Sequence, residues 1–255
     1  GNSGTSARLL TGLLASQKFN SILTGDKSLS SRPMARIVDP LNLMNAKVDT
    51  NNGKMPIKIY GKNLTNTKIK IDIPSAQIKS GLILAALNTA GKTKIIEKHT
   101  TRDHTEIMLE SFGANIDVKK NNYETEIEIV GKKELVSKNI NVPSDLSSSA
   151  FFIVAALINK NSEITLNNIN INSTRNGILV ALKKMGANIK LTNNRLLNNE
   201  NIADINVKYS QLRGCELDED FAKLMIDEYP IISIAAAFAK SPSVFRGLNE
   251  LRVKE

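Results

Sequence analysis

An α/β fold assembled from a repeated unit is the architecture this sequence predicts, and three observations predict it. The segments TRDHTEIMLESFGANI (101–116) and TRNGILVALKKMGANI (174–189) both place Thr-Arg twelve residues before Gly-Ala-Asn-Ile. Ahead of them, in register, lie IPSAQIKSGLILAALNTAGKTKIIE (73–97) and VPSDLSSSAFFIVAALINKNSEITL (142–166). A looser third copy, RPMARIVDPLNLMNAKV (32–48), carries Met-Asn-Ala where the other two have Gly-Ala-Asn. Self-similarity at a fixed period is the signature of a repeat-built fold.

Each element of the unit has its own reason. A Pro-Ser turn caps a helix of small residues, and a short alternating strand leaves it. The second helix shows apolar positions at helical spacing: Ile107, Leu109 and Phe112 in one copy, Ile178, Leu182 and Met185 in the other. The glycine that follows stops the helix, and a strand comes next. The unit is therefore strand, helix, strand, helix, then one or two strands, about 70 residues in all. Such alternation predicts layered α/β structure with parallel strand pairing.

This phasing places GNSGTSARLLTGLLASQ at the capped-helix position of a unit whose leading strand is missing. MIDEYPIISIAAAFAKSPSVFRGLNELRVKE starts a fourth unit and stops where its second helix is due. A partial sequence, incomplete at both ends, of marginal stability and without useful activity alone, is the expectation.

Composition narrows the function. At 255 residues and 41% apolar content the chain suits one large or two smaller soluble globular domains. The longest apolar runs, AFFIVAALI and IISIAAAFA, are nine residues each, under half of the roughly 20 that cross a bilayer, so no membrane role is expected. The start lacks the order of a secretory signal and Cys215 is the only cysteine, which together point to a reducing cytoplasm. Cys215 reads as a packing or surface residue, since the two histidines, His99 and His104, lie far from it in sequence. A net charge of +9 invites a nucleic-acid reading, but lysines are scattered and aromatics make up only 4%, without a basic stretch interleaved with stacking rings. A small anionic substrate accounts for the charge as well as a solvated basic surface does.

Several loops carry chemistry. GNSGTSAR sets glycines and small hydroxyls at a helix start, where free N–H groups attract an anion. SLSSRPMAR supplies Arg32 and Arg36, suited to phosphate or carboxylate. PSAQIKS offers Ser75, Gln77 and Lys79 at a capped N-terminus, and Arg102 opens the next helix, with Arg175 in the equivalent slot. MIDEYP sets Asp227 and Glu228 before an apolar helix that cannot easily bury them, and LRVKE ends in Lys254 and Glu255. Together these groups suggest a cleft for a polyanion with acid/base groups inside. Metal-ligand spacings and Walker or Rossmann glycine patterns are absent, so no metal or nucleotide cofactor is expected.

GNSGT with Arg8, GDKSLSSRPM, SAQIKSG, TRDHTE, VPSDLSSSAFF, MIDEYP and LRVKE, in this order, resemble the 5-enolpyruvylshikimate-3-phosphate (EPSP) synthase family over essentially the whole chain. The wording RDHTE, GDKS, SAQIK and NSTR resembles its bacterial class II subgroup. The resemblance implies two globules of βαβαββ units, an inside-out α/β barrel with the active site between them. Residues 1–141 would then be part of the first globule (a partial and a complete unit) and 142–255 part of the second (a complete and a partial unit).

It implies a monomeric, cofactor-free enzyme that transfers the enolpyruvyl group of phosphoenolpyruvate to the 5-hydroxyl of shikimate 3-phosphate. Ser75, Ala76, Gln77, Arg102, Asp227 and Lys254 would bind shikimate 3-phosphate, and Gly4, Arg32 and Gln77 phosphoenolpyruvate. Asp227, Lys254 and Glu255 would be catalytic. Further family residues would lie before Gly1 and after Glu255. Ala76 replaces a second serine found in many members, and Gly4 stands where glyphosate-tolerant members often have alanine. Alternatives are the sister enzyme acting on a UDP-aminosugar, whose loop cysteine has no early counterpart here, and an RNA-binding or RNA-end-processing protein of similar build.

Overall fold

A computed structural model describes residues 1–121, 123–249 and 251. The chain divides into two compact units, residues 1–138 and 139–255, each with its own apolar core. The first begins with α1 (Gly4–Ala15), β1 (Asn20–Leu23), the short α2 (Lys27–Ser31), α3 (Ala35–Leu43) and the hairpin β2 (Lys47–Asn51) and β3 (Lys54–Tyr60). A full copy of the repeat follows as β4 (Lys68–Ile71), α4 (Ala76–Leu87), β5 (Lys92–Glu97), α5 (His104–Ser111), β6 (Asn115–Lys120) and β7 (Thr125–Val130). The second unit contains α6 (Leu146–Ile158), β8 (Glu163–Asn170), α7 (Gly177–Lys184), β9 (Asn188–Leu197) and β10 (Glu200–Lys208). It continues with β11 (Glu216–Leu217), α8 (Glu219–Met225), a 3-10 turn (Ile226–Glu228), α9 (Tyr229–Ala237) and β12 (Val244–Phe245).

The repeat is written into the sheet topology. Strand orders β1-β3-β2, β5-β7-β6 and β8-β10-β9 are the same arrangement three times over. In each, the last strand of the copy inserts between the two before it, antiparallel to both. This corrects the expectation of parallel pairing. The helix crossover does leave β5 and β6 pointing the same way, but the β6–β7 hairpin returns β7 into the gap, so direct parallel pairing among the described strands is confined to β4–β5 and β11–β12. The strand expected ahead of α6 is reduced to one parallel bridge, Ser144 to Ile169. Pro143 just before it has no N–H to donate.

Helix ends follow the local chemistry. Side chains of Ser3, Asp26, Ser75, Asp145 and Asp218 cap α1, α2, α4, α6 and α8. After α5 and α7 the chain turns through Gly113 and Gly186, at φ of 80° and 86°. In the looser copy Asn45 takes the same left-handed turn at 62°, a conformation that asparagine tolerates better than most side chains. Ile178, Leu182 and Met185 are buried as their spacing predicts. In α5 the buried positions are Glu106 and Leu109, while Ile107 and Phe112 are only half-buried. The reason is a buried lysine facing Glu106.

Helix α4 lies at the centre of the first unit and packs against α1, α3, α5, β5 and β7. Its contact with α1 is backbone to backbone: a Cβ on Gly12 would lie 1.8 Å from the Gly81 carbonyl oxygen. Contacts Thr5–Gln77, Gly12–Gly81 and Ser16–Asn88 advance together along both helices. The two helices therefore run parallel and present their N-termini at the same end of the unit.

Candidate active site

In the first unit the candidate residues gather at that end. Gly4, the buried first residue of α1, leaves room for two guanidinium groups: a Cβ there would come 3.1 Å from Nη1 of Arg8 and 3.4 Å from Nη1 of Arg32. The chain brings Arg32 there by doubling back after β1. The Gly1 carbonyl accepts the Asp26 N–H at 3.1 Å, and the Pro33 carbonyl accepts from Arg8 Nη2 at 3.1 Å. Arg8 is half-buried. Its pKa is held below the usual arginine value by burial and then by the charges of Arg36 and Arg32. Three mutually repelling cations at the positive end of a helix make a place where an anion is stabilised by both charge and backbone N–H groups.

Gln77 ties this cluster to α4. Its Oε1 accepts from Arg8 Nη1 at 2.5 Å and its Nε2 donates to Thr5 Oγ1 at 2.9 Å. Ser75 accepts the Ile78 N–H at 3.4 Å, which leaves its own hydroxyl proton available to a ligand oxygen. Ala76 is the first helical residue and offers an N–H. Arg102 is half-exposed in the loop between β5 and α5, whose first turn meets α4 through a 2.7 Å hydrogen bond between Ser80 and Thr105.

Lys79 departs from expectation. It does not face outward with Ser75 and Gln77 but is 1% exposed, with Nζ 2.8 Å from Glu106 and 3.2 Å from Glu97. A concavity of about 410 Å³ beside this cluster includes Asp103, Glu106, Glu110, Asp117 and Lys120 in its lining. That acidic lining does not suit an anion.

In the second unit the 3-10 turn separates two adjacent acids. Asp227 is exposed, whereas Glu228 is 1% exposed, contrary to the expectation that neither could be buried. Burial is made possible by Ser147 in the first turn of α6, whose hydroxyl donates to Glu228. Arg175 closes the cluster, donating to Ser147 Oγ at 2.7 Å and pairing with Asp145, the α6 cap, at 2.5 Å. Burial alone would raise the Asp145 carboxyl, but the Ser148 amide and hydroxyl and the Arg175 charge outweigh it and hold it below its ordinary value. Arg175, the slot-mate of Arg102, is thus taken up by internal structure.

Lys254 and Glu255 lie outside the described residues. His104 is the first residue of α5. Cys215 is half-buried, and burial pushes its thiol pKa up, which disfavours the thiolate. Among the described residues no group of three or more His, Cys, Asp or Glu could hold a metal ion, and no helix is long and apolar enough to cross a membrane. Sequence reasoning gave no role to Arg8 and none to the burial of Glu228. The i, i+4 spacing of Gly4 and Arg8 on α1 is a signal that could have flagged the first; the second depends on a partner 81 residues away.

Comparison with known proteins places these residues in context. A family model described as EPSP synthase (3-phosphoshikimate 1-carboxyvinyltransferase) matches residues 1–255. The 3-phosphoshikimate 1-carboxyvinyltransferase of Ruthia magnifica subsp. Calyptogena magnifica is 49% identical over 256 residues, covering 100% of this chain and 58% of that protein. That of Thermoanaerobacter sp. (strain X514) is 45% identical, with 100% and 60% covered. A solved EPSP synthase from Acinetobacter baumannii superposes with a TM-score of 0.87 at 47% identity, covering 100% of this chain and 57% of that one. The chain therefore spans about three fifths of the length of these relatives.

Proposed function

Since the chain belongs to the EPSP synthase family, we propose that the protein it forms part of transfers the enolpyruvyl group of phosphoenolpyruvate to the 5-hydroxyl of shikimate 3-phosphate. The observation that carries this reading is the double engagement of Gln77, which joins the α4 N-terminus to Thr5 and Arg8 beside Gly4 and Arg32. A residue shared by both anionic substrates belongs at such a junction. On this reading Ser75, Ala76, Gln77 and Arg102 hold shikimate 3-phosphate, and Gly4, Arg32 and Gln77 line the phosphoenolpyruvate site, with Arg8 fixing the Gln77 amide.

The chemistry needs proton transfers and charge stabilisation alone. Asp227, exposed on its turn, takes the proton of the 5-hydroxyl as that oxygen attacks C2 of phosphoenolpyruvate, while Glu255 delivers a proton to C3. In the second step Glu255 removes a proton from C3, the C2–O bond to phosphate breaks, and phosphate leaves with the bonding pair. Lys254 binds shikimate 3-phosphate and steadies the developing charge. The full-length protein acts as a cytoplasmic monomer on these two small molecules. The family match and the named relatives give no support to the UDP-aminosugar and RNA readings, and the basic charge that invited the latter suits two anionic substrates.

The test is phosphate release by the full-length protein supplied with both substrates, beside calorimetric titration of shikimate 3-phosphate. Turnover that disappears in Asp227→Asn with binding retained supports the reading. Absence of both turnover and binding refutes it.

A further inference from the structure

A cation in the first turn of a helix sits at the positive end of its dipole, and a buried charge carries a desolvation cost that ion pairing often only just offsets. Lys79 does both, at 1% exposure in the first turn of α4. Two carboxylates enclose it, Glu97 at the end of β5 and Glu106 in the first turn of α5, at 2% and 5% exposure. A leucine at this position would fill the space without the charge, so the cluster calls for a reason other than stability.

What the cluster holds is the loop between β5 and α5. All three polar groups of Thr101 are tied to it: the N–H donates to Glu97 Oε1 at 3.2 Å, the hydroxyl to Glu97 Oε2 at 2.7 Å, and the carbonyl accepts from Lys79 Nζ at 3.4 Å. On the far side of Arg102, Lys79 grips Glu106 and Ser80 meets Thr105. The backbone of Arg102 is thus fixed one residue before and three or four residues after, by side chains of the same helix that carries Ser75, Ala76 and Gln77.

We propose that Lys79 is a positioning residue which, through Glu97, Thr101 and Glu106, sets the Arg102 guanidinium in register with the α4 N-terminus for binding the anionic shikimate substrate. The inference rests on the proposed function, in which Arg102 contacts that substrate and Lys79 does not.

The experiment uses the full-length protein and separates KM for each substrate from kcat. Lys79→Met removes the centre of the cluster and leaves two buried carboxylates facing each other, so it can unfold the unit. Thr101→Val is nearly isosteric, removes one hydrogen bond at a half-exposed position and preserves the fold. Expected for Thr101→Val is a rise in KM for shikimate 3-phosphate between about 2-fold and 10-fold, the worth of one hydrogen bond. KM for phosphoenolpyruvate stays within error, while the thermal midpoint falls with unfolding still cooperative, because the buried Glu97 loses a donor. In an Arg102→Ala background the same substitution then changes KM by less than about 1.5-fold, because the group being positioned is gone.

An unchanged KM in folded Thr101→Val, or an equal effect with and without Arg102, overturns the inference while turnover by the parent leaves the assigned function standing. A parent protein that neither binds nor converts shikimate 3-phosphate overturns both.

Discussion

The Ser147 hydroxyl, in the first turn of α6, donates to the carboxylate of the buried Glu228, while the adjacent Asp227 is exposed. On the proposed function the two adjacent acids have different work. Asp227→Asn is expected to lower kcat by about 10²- to 10⁴-fold, the usual contribution of a general base, without shifting the thermal midpoint. Ser147→Ala strips the buried Glu228 of a donor and is expected to destabilise the fold by about 1–3 kcal/mol, read by chemical denaturation. The reverse pattern would reassign the two residues.

The cationic cluster of Arg8, Arg32 and Arg36 makes anion binding visible as stability. Inorganic phosphate, compared with chloride at equal ionic strength, is expected to raise the melting temperature, by an amount equivalent to about 2.7 kcal/mol when phosphate is at a hundred times its dissociation constant. Arg32→Ala should remove most of that rise. Equal melting in both salts would argue against an anion site at α1.

Acid affects two carboxyls in opposite senses. Asp145, held below its ordinary 3.8, contributes stability above that value which is lost as pH falls through its lower folded value. Glu106 is raised above 4.5 by burial, against the opposing charge and hydrogen bond of Lys79, so its contribution is complete below 4.5 and is lost as pH rises through the raised value. Denaturation midpoints against pH are expected to flatten below pH about 4 in Asp145→Asn and above pH about 4.5 in Glu106→Gln. Parallel curves for parent and variants would contradict the assigned shifts.

Gly12→Ala sets a methyl group against the Gly81 carbonyl, a distance that no rotamer change relieves. A loss of about 1–3 kcal/mol or more in urea titration is expected. Wild-type stability in this variant would mean that α1 and α4 separate easily.

The repeat, the helix phases of α4, α6 and α7 and the small-residue helix starts were legible because each depends on residues close in sequence. In the looser copy the Gly-Ala-Asn turn was read one residue out of register, since Asn45 and not Met44 takes the left-handed place of the glycine and Ala46 answers Ala114. Insertion of β7 between β5 and β6 was not legible, because strand order is decided by edges meeting across the fold. Lys79 was misread for a related reason. Nothing within its own helix marks it as buried, and its partners Glu97 and Glu106 lie 18 and 27 positions further on, on other elements. Ser75, Gln77 and Arg102 announced themselves by position at helix starts, whereas Glu228 did not, its hydroxyl partner lying in α6.

The meeting of Gly12 and Gly81 has one more consequence, for how this protein can change. Where two helices touch through side chains, their spacing can drift by small steps as one residue type replaces another. Here main chain meets main chain, so the smallest available step is a whole methyl group and the spacing is held against gradual variation. Divergence in substrate handling must then enter through the loops, above all the segment around Arg102, while the frame carrying Gly4 and Gln77 stays as it is.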